Sequence, residues 1–490
     1  MNMYNVRILP GETCLAVQEG TNLMEALRNA GLHLDAPCGG RGACGKCKVL
    51  LDGAEVLACQ TRVDRDMAVE LPHRQKNVIL TQSLAVEVQA DGANTYVLAF
   101  DIGTTTVVAY LMNGVTGEVL AQASCLNPQT EFGADVISRI QYVTDNHSRE
   151  LQTAILTALD SLTRQTAGDA GIAPEQISLA AVVGNTAMHH LFLDIDPKPL
   201  TTPPYMPKVF EALELPAAGL LPIAPDGVVR VLPNIAGFVG ADTVGCMTAT
   251  RFDRVEKLTL MIDIGTNGEM VLGDGKRRLA CSTAAGPAFE GAKISCGMRG
   301  AAGAVDHVRL ENGRVVWHVI GDGEAVGLCG SGLLDLVAVL LDTEDILETG
   351  RMPEKSYRLG ETEVVLTQKD VREVQLAKGA IRAGIELMCE QLGAAVEQID
   401  AVYLAGAFGN YLDPKSACRI GMIPPCLEEK IRPIGNAAGE GAKLCALSRA
   451  EYDYSKRLAA DTEFLELASL PQFQDRFVQC LNFEEDEEDG

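Results

Sequence analysis

Cys38, Cys44, Cys47 and Cys59 fall in the run CGGRGACGKCKVLLDGAEVLAC with the spacing C-x5-C-x2-C-x11-C. Thiolates so placed hold an iron–sulfur cluster, which passes one electron at a time. A zinc site is the competing reading, but knuckle-type zinc sites pair their cysteines as two C-x2-C units. Gly39, Gly40, Gly42 and Gly45 add a glycine-rich wrap that lets backbone N–H groups turn toward inorganic sulfide. The pattern therefore points to [2Fe–2S]. A second chemistry-bearing pattern occurs twice, as DIGTTT at 101–106 and DIGTNGE at 263–269. Each copy follows an apolar strand and leads into another. Such a turn offers N–H and hydroxyl groups to phosphate oxygens, and its aspartate can hold Mg²⁺ through water. Gly103, Thr104, Thr105 and Thr106, with Gly265, Thr266 and Asn267, are the candidate phosphate contacts, and Asp101 and Asp263 the candidate Mg²⁺ anchors.

A third glycine-rich element follows a strand at Val402–Ala405. Gly406, Ala407, Phe408 and Gly409 form a loop whose backbone can approach an adenine or ribose closely. Small residues dominate 234–249 and 435–446, which read as two closely packed helices, a hinge between halves or, alternatively, an ordinary tight crossing. Asp242 is a candidate for orienting an attacking water, with a helix-start role as its alternative. Glu269 is placed to approach Mg²⁺ or substrate. GPAFEG at 286–291 and Gly330-Ser331-Gly332 are tight turns able to border a nucleotide. His189 and His190 read as packing or capping residues, and Asn127 and Asp135 as candidates for partner contact. There is no P-loop and no helix-opening GxGxxG.

The elements that must position these residues are legible in outline. Residues 3–10 read as an edge strand, 13–19 as its hairpin partner and 21–30 as a short helix. KVLLDGAEVLAC reads as strand, Asp52-Gly53 turn, strand, returning Cys59 to the cysteine loop. Amphipathic helices are expected at 151–165 and 372–394, and a proline-rich irregular insert at 201–230. The chain has 490 residues and a net charge of -25, which disfavours nucleic acid or an anionic membrane as partner. Without a basic, signal-like start or an apolar run of about 18 residues, a cytoplasmic location is expected. Fifteen cysteines, an odd number, fit a reducing compartment in which most of the others are buried thiols.

Two partial resemblances extend this reading. Residues 1–72 resemble plant-type and adrenodoxin-type ferredoxin domains with a β-grasp fold. The eleven-residue stretch before Cys59 is closer to the ferredoxin domains of molybdenum hydroxylases and succinate dehydrogenase. The remainder resembles the acetate and sugar kinase, Hsp70 and actin superfamily, with phosphate motifs at Asp101–Thr106 and Asp263–Glu269 and an adenosine motif at Leu404–Gly409. By analogy with second-half helices of that superfamily, Lys378 is an adenosine-site candidate, its alternative a solvated helix face.

The whole chain resembles the ferredoxin-plus-ATPase reductive activators of corrinoid proteins. The resemblance rests on CGGRGACGKC with VLACQT, NPQTEFGADVISRI at 127–140, GNTAMHHL at 184–191, DIGTNGE and LAGAFGNYL. It implies an α/β protein: a duplicated ribonuclease H-like, actin-like (ASKHA) ATPase behind a small β-grasp [2Fe–2S] domain. The expected layout is ferredoxin domain 1–72, linker 73–95, first half 96–255, second half 256–455, and a C-terminal extension 456–490 ending in an acidic tail. Its departures are the lack of a separate middle domain and of C-terminal cysteines suited to [4Fe–4S] clusters. The implied activity is ATP-dependent transfer of one electron from [2Fe–2S] to cob(II)alamin on a partner corrinoid protein of a methyltransferase system, giving cob(I)alamin. The implied cofactors are the cluster, ATP and Mg²⁺. The implied partners are the corrinoid protein, a low-potential electron donor and a second copy of the chain. A gap of roughly 200 mV would make that transfer uphill by about 4.6 kcal/mol. Two alternatives stay open: ATP-dependent activation of another low-potential enzyme, or a small-molecule kinase with a redox-regulatory ferredoxin domain.

Overall fold

The computed structural model describes the chain except residues 1, 10–12, 31, 33, 35–41, 43–46, 72–89, 410 and 484–490. Its N-terminal unit is a five-stranded mixed sheet in the order β2-β1-β5-β3-β4. The elements are β1 (Met3–Leu9), β2 (Cys14–Gln18), α1 (Leu23–Asn29), β3 (Lys48–Leu51), β4 (Ala54–Leu57) and β5 (Met67–Glu70). This is a β-grasp. Its first strand is not the edge expected from sequence, because β5 returns to pair with it in parallel and leaves β2 outermost. The Asp52-Gly53 turn joins β3 to β4, both residues at positive φ, as a tight hairpin requires. Val6, Leu23, Leu27, Val49 and Val69 form its small core.

The rest is two six-stranded sheets with one plan. The first contains β6 (Tyr96–Ile102), β7 (Thr106–Asn113) and β8 (Val119–Leu126). After α2 (Val136–Asn146) and α3 (Glu150–Asp169) come β9 (Ile177–Gly184), α4 (Thr186–Phe192), β10 (Leu213–Pro216), β11 (Val228–Val231) and α5 (Ala241–Thr250). The 201–230 stretch is thus not wholly irregular: β11 lies in parallel register beside β9, with β10 on its outer edge.

The second sheet begins with β12 (Thr259–Ile264), β13 (Gly268–Gly273) and β14 (Arg278–Thr283). A small sheet of β15 (Ala304–Glu311), β16 (Arg314–Val319) and β17 (Gly327–Leu328) leads into α6 (Gly330–Asp342). A hairpin of β18 (Ser356–Arg358) and β19 (Val365–Thr367) feeds the 25-residue α7 (Gln368–Leu392). Then follow β20 (Ala401–Ala405), α8 (Gly406–Gly409), α9 (Pro414–Arg419), β21 (Ile431–Gly435), α10 (Ala437–Leu447), α11 (Arg449–Ala460) and β22 (Glu463–Phe464). Strand orders β10-β11-β9-β6-β7-β8 and β21-β20-β12-β13-β14-β22 match position for position over five strands. This is the duplicated ribonuclease H-like, actin-like fold.

Strand parity builds the layers. Along β6, Leu98, Phe100 and Ile102 face the α2–α3 side, while Val97 and Ala99 face an inner layer. Along β12, Leu260, Ile262 and Ile264 face α6 and α7, while Met261 faces that same inner layer. The inner layer is α5 packed on α10. A Cβ added to Gly441 would stand 2.1 Å from the Gly245 carbonyl oxygen, so the two backbones touch. The small residues of these helices permit that crossing.

The two units meet at one described ion pair. Arg28 on α1 places Nε 2.7 Å from Glu131 Oε2, and its guanidinium lies 4.6 Å from the Phe132 ring centroid.

Candidate active site: two phosphate turns over an acidic floor

Period-two alternation sends Asp101 to the same face as Val97 and Ala99, and Asp263 to the same face as Met261. Glu269 shares its face with Val271 and sits directly across the β12–β13 ladder from Asp263. Asp242 lies in the first turn of α5, within the inner layer. Four acids from four elements therefore meet between the sheets. All four are half-buried.

Crowding of like charges away from bulk water shows in their proton affinities. Burial, opposed by the Asn436 amide and helped by Asp242, pushes Asp101 up to about 7. Burial and the charges of Asp242 and Asp101 push Asp263 up to about 7. Burial raises Asp242 to about 6 against the pull of the Thr243 N–H. Glu269 is held well above the usual carboxylate range by burial, then by Asp242 and Asp263. A divalent cation relieves such repulsion. Among the described residues no three His, Cys, Asp or Glu side chains converge on one metal position. The acids fit a cation that keeps its water shell, as Mg²⁺ does.

The first turn is braced from behind. Gly103 N–H donates to Thr106 O at 2.9 Å, closing the turn. Asn127 Nδ2 donates to Gly103 O at 2.8 Å, Arg139 Nη2 to Thr104 O at 2.5 Å, and Asn185 Nδ2 to Thr104 Oγ1 at 2.9 Å. Asn127 is fully buried, which corrects its reading as a partner contact. Asp135 caps α2 in a capping box with Ser138. The motifs NPQTEFGADVISRI and GNTAMHHL thus brace the first Asp-Ile-Gly-Thr turn from the protein side. His189 and His190 are buried. His190 Nδ1 meets Thr186 O at 2.8 Å while its Nε2 accepts from Lys208 N–H at 3.1 Å, so the proton sits on Nδ1.

The second turn is closed by Gly265 N–H donating to Asn267 O at 2.9 Å. Beside it Gly406 has φ +82°, and a Cβ there would lie 2.6 Å from Asp263 Oδ1. Only glycine suits that conformation and that approach. Residues 406–409 are one helical turn, not an open loop. Phe408 stacks on Phe289 with ring centroids 5.3 Å apart. Lys378 is not on an open face: it is buried, with Nζ donating to Asn482 O and lying over the Phe483 ring.

Two residues from segments noted in the sequence, neither given a role of its own there, join the site. Asn436, at the start of α10, donates from Nδ2 to Asp101 Oδ2 at 2.8 Å and caps the helix by accepting from Gly439 N–H. Glu290 ends the 3-10 turn Pro287–Glu290. Its Oε2 accepts from Thr105 Oγ1 at 2.5 Å and its Oε1 from Thr266 Oγ1 at 2.5 Å.

In the β-grasp unit, Cys47 and Cys59 are buried, and Ala58 N–H donates to Cys47 O at 2.9 Å, bringing the two cysteines together. Gln60 Nε2 lies 3.7 Å from Cys59 Sγ. Two buried thiols at the edge of a core, one with an N–H donor beside it, fit an iron–sulfur ligand set. Cys38 and Cys44 lie outside the described residues. Seven of the other eleven cysteines are buried, as expected.

Three family models match in succession: a 2Fe-2S iron-sulfur cluster binding domain over residues 6–66, the RACo middle region over 96–255, and the C-terminal domain of RACo, the ASKHA domain, over 257–489. The corrinoid activation enzyme RamQ of Eubacterium limosum is 38% identical over 418 residues, covering 79% of this chain and 70% of RamQ. The chain belongs to the family of reductive activators of corrinoid proteins. A solved activator of this family, the reductive activator for corrinoid,iron-sulfur protein, superposes with a TM-score of 0.74 at 31% identity, covering 98% of each chain. The [Co(II) methylated amine-specific corrinoid protein] reductase of Methanosarcina barkeri is 31% identical over 281 residues, 52% of this chain and 51% of that one. The family's middle region corresponds here to the first half of the cleft fold, and its ASKHA region to the second. Among the described residues no helix is long and apolar enough to cross a membrane.

Proposed function

We propose that this activator uses ATP to drive one electron onto the Co(II) corrinoid of a partner protein in a methyltransferase system, giving Co(I). The observation that carries the reading is the convergence of Thr105 and Thr266, one from each duplicated turn, over a floor of four acids in the same chain as a ferredoxin unit. Cys38, Cys44, Cys47 and Cys59 would hold a [2Fe–2S] cluster, which supplies single electrons.

The chain's own residues account for the nucleotide side. Thr104, Thr105 and Thr106, and Gly265, Thr266 and Asn267, offer hydroxyl, amide and N–H groups to the phosphates. Asp101 and Asp263 would hold Mg²⁺ through its waters, with Glu269 beside Asp263 in support, and Asp242 would orient the attacking water. Gly406, Ala407, Phe408 and Gly409 border the adenosine. ATP favours one arrangement of the two halves only to the extent that it binds that arrangement more tightly, and hydrolysis resets it. A low-potential donor supplies the electron, and the corrinoid stays on the partner. Activity as a homodimer and residence in the cytoplasm belong to the same proposal.

The test is anaerobic. The reduced holoprotein is mixed with a Co(II) corrinoid protein, with and without ATP, and cobalt is followed by visible absorption. ATP-dependent growth of the Co(I) band is the expected result. Its absence, with cluster intact and ATP bound, would redirect the reading to another low-potential acceptor.

A further inference from the structure

Glu290 stands where the two phosphate turns face each other. Its carboxylate accepts one hydroxyl proton from Thr105 and one from Thr266, each at 2.5 Å. These threonines come from different halves of the molecule, and Thr105 is 185 residues from Glu290 in sequence. Two hydroxyls from separate turns thus aim at one anionic group.

A threonine hydroxyl carries a single proton. An ionised phosphate oxygen only accepts. While Thr105 and Thr266 donate to Glu290, they cannot donate to a phosphate. The surroundings favour an anion at this point: the buried guanidinium of Arg139, bound to Thr104 O and Gly133 O, lies within electrostatic reach of Glu290. Gly265, in the second turn, passes close enough that an added Cβ would lie 3.9 Å from Glu290 Oε1. One carboxylate therefore takes up the two hydroxyl donors that the phosphate reading assigns to a phosphate group.

We propose that Glu290 is a built-in competitor for a nucleotide phosphate, holding the hydroxyls of Thr105 and Thr266 until a phosphate group displaces it. The exchange swaps one anion for another between the same two turns. It also moves the 3-10 turn Pro287–Glu290, whose Phe289 stacks on Phe408 of the 406–409 turn. Displacement at the phosphate end is thereby communicated to the proposed adenosine end. The inference rests on the phosphate reading of the two turns given above.

The opposite role for the same residue is as an Mg²⁺ ligand, and the two make opposite predictions. Full-length wild type, Glu290→Gln and Glu290→Ala are titrated with ATP by calorimetry, once in EDTA and once with Mg²⁺. A competitor predicts that both variants bind ATP more tightly in EDTA, by about tenfold, equivalent to about 1.4 kcal/mol. Unchanged or weaker binding in EDTA overturns the proposal, and weakening confined to the Mg²⁺ arm assigns Glu290 to the metal instead. If wild type binds no ATP under either condition, the phosphate reading itself falls and this inference with it. Unfolding temperatures of the three proteins, measured alongside, show whether each variant is folded in the titration.

Discussion

The two phosphate turns share a sequence and a strand register but are held differently. The first is gripped from behind by Asn127, Arg139 and Asn185, which lie 24, 35 and 81 residues from the atoms they hold. The second is fitted against bare backbone at Gly406, and Glu290 of its own half accepts from Thr266 and, across the halves, from Thr105. Helix starts differ in the same way. Asp242 begins α5 beside the acids and adds charge, whereas Asn436 begins α10 and donates an amide proton to Asp101. The shared strand order sets where the turns sit, while one side is a braced anchor and the other is defined by close approach.

The largest effect expected is at the crossing both halves share. Gly441→Ala would force a methyl against the Gly245 backbone, which cannot rotate away, so a loss of about 3 kcal/mol is expected in denaturant unfolding. Preserved stability there would mean that α5 and α10 are not fixed at contact distance.

Breaking the brace tests the contrast itself. Arg139→Met leaves the Thr104 and Gly133 carbonyls without their donor and should cost about 2 kcal/mol, with weaker nucleotide binding. On the other side, Gly406→Ala should cost about 1–2 kcal/mol through its positive φ. Equal losses of nucleotide affinity in the two variants would say that brace and close approach serve the turns alike.

A smaller effect should appear on titration. Asp101, Asp263 and Asp242 bind protons more tightly in the folded protein, at about 7, 7 and 6, than in an unfolded chain, where Asp titrates near about 3.9. The folded state therefore holds more protons between those values, and stability from these groups falls as pH rises from about 4 through about 7. Thermal unfolding from pH 5 to 8 should show that decline. Mg²⁺ should reduce it, and Asp263→Asn should flatten it; a slope indifferent to both would detach it from the acidic floor.

The smallest expected effect is at the ferredoxin contact. Arg28→Ala removes a partly exposed ion pair and a ring contact, about 1 kcal/mol in all. Faster proteolytic release of the N-terminal unit is the sensitive readout, and an unchanged rate would show that other contacts hold it.

Much of this was legible because it is local. The paired DIGT turns each fix a strand, a glycine and an acid within a few residues, and parity then dictates which face Asp101, Asp263 and Glu269 share. The β-grasp hairpin at Asp52-Gly53 is equally local. Other features needed the third dimension. Glu290 lies in the GPAFEG turn, which the sequence marks only as able to border a nucleotide; its own part shows once Thr105 and Thr266 are brought to it. Asn436 sits in the small-residue run 435–446, and only the fold shows that it caps α10 and spends its amide on Asp101. Asn127 was misread because its motif is polar and loop-like, while its side chain turns inward to a carbonyl. The proline-rich stretch concealed β11 because a four-residue strand carries too little alternation to stand out. Lys378 sits under the C-terminal segment, a contact that helix periodicity cannot convey.

One short turn, residues 127–131, touches both units: Asn127 holds Gly103 of the first phosphate turn, and Glu131 holds Arg28 of the ferredoxin unit. Thermodynamic reciprocity then constrains the protein. If docking of the ferredoxin unit changes nucleotide affinity by some factor, nucleotide must change docking by that same factor. In that case a partner that draws the ferredoxin unit away from Glu131 would, through this turn, also be an effector of the proposed nucleotide site.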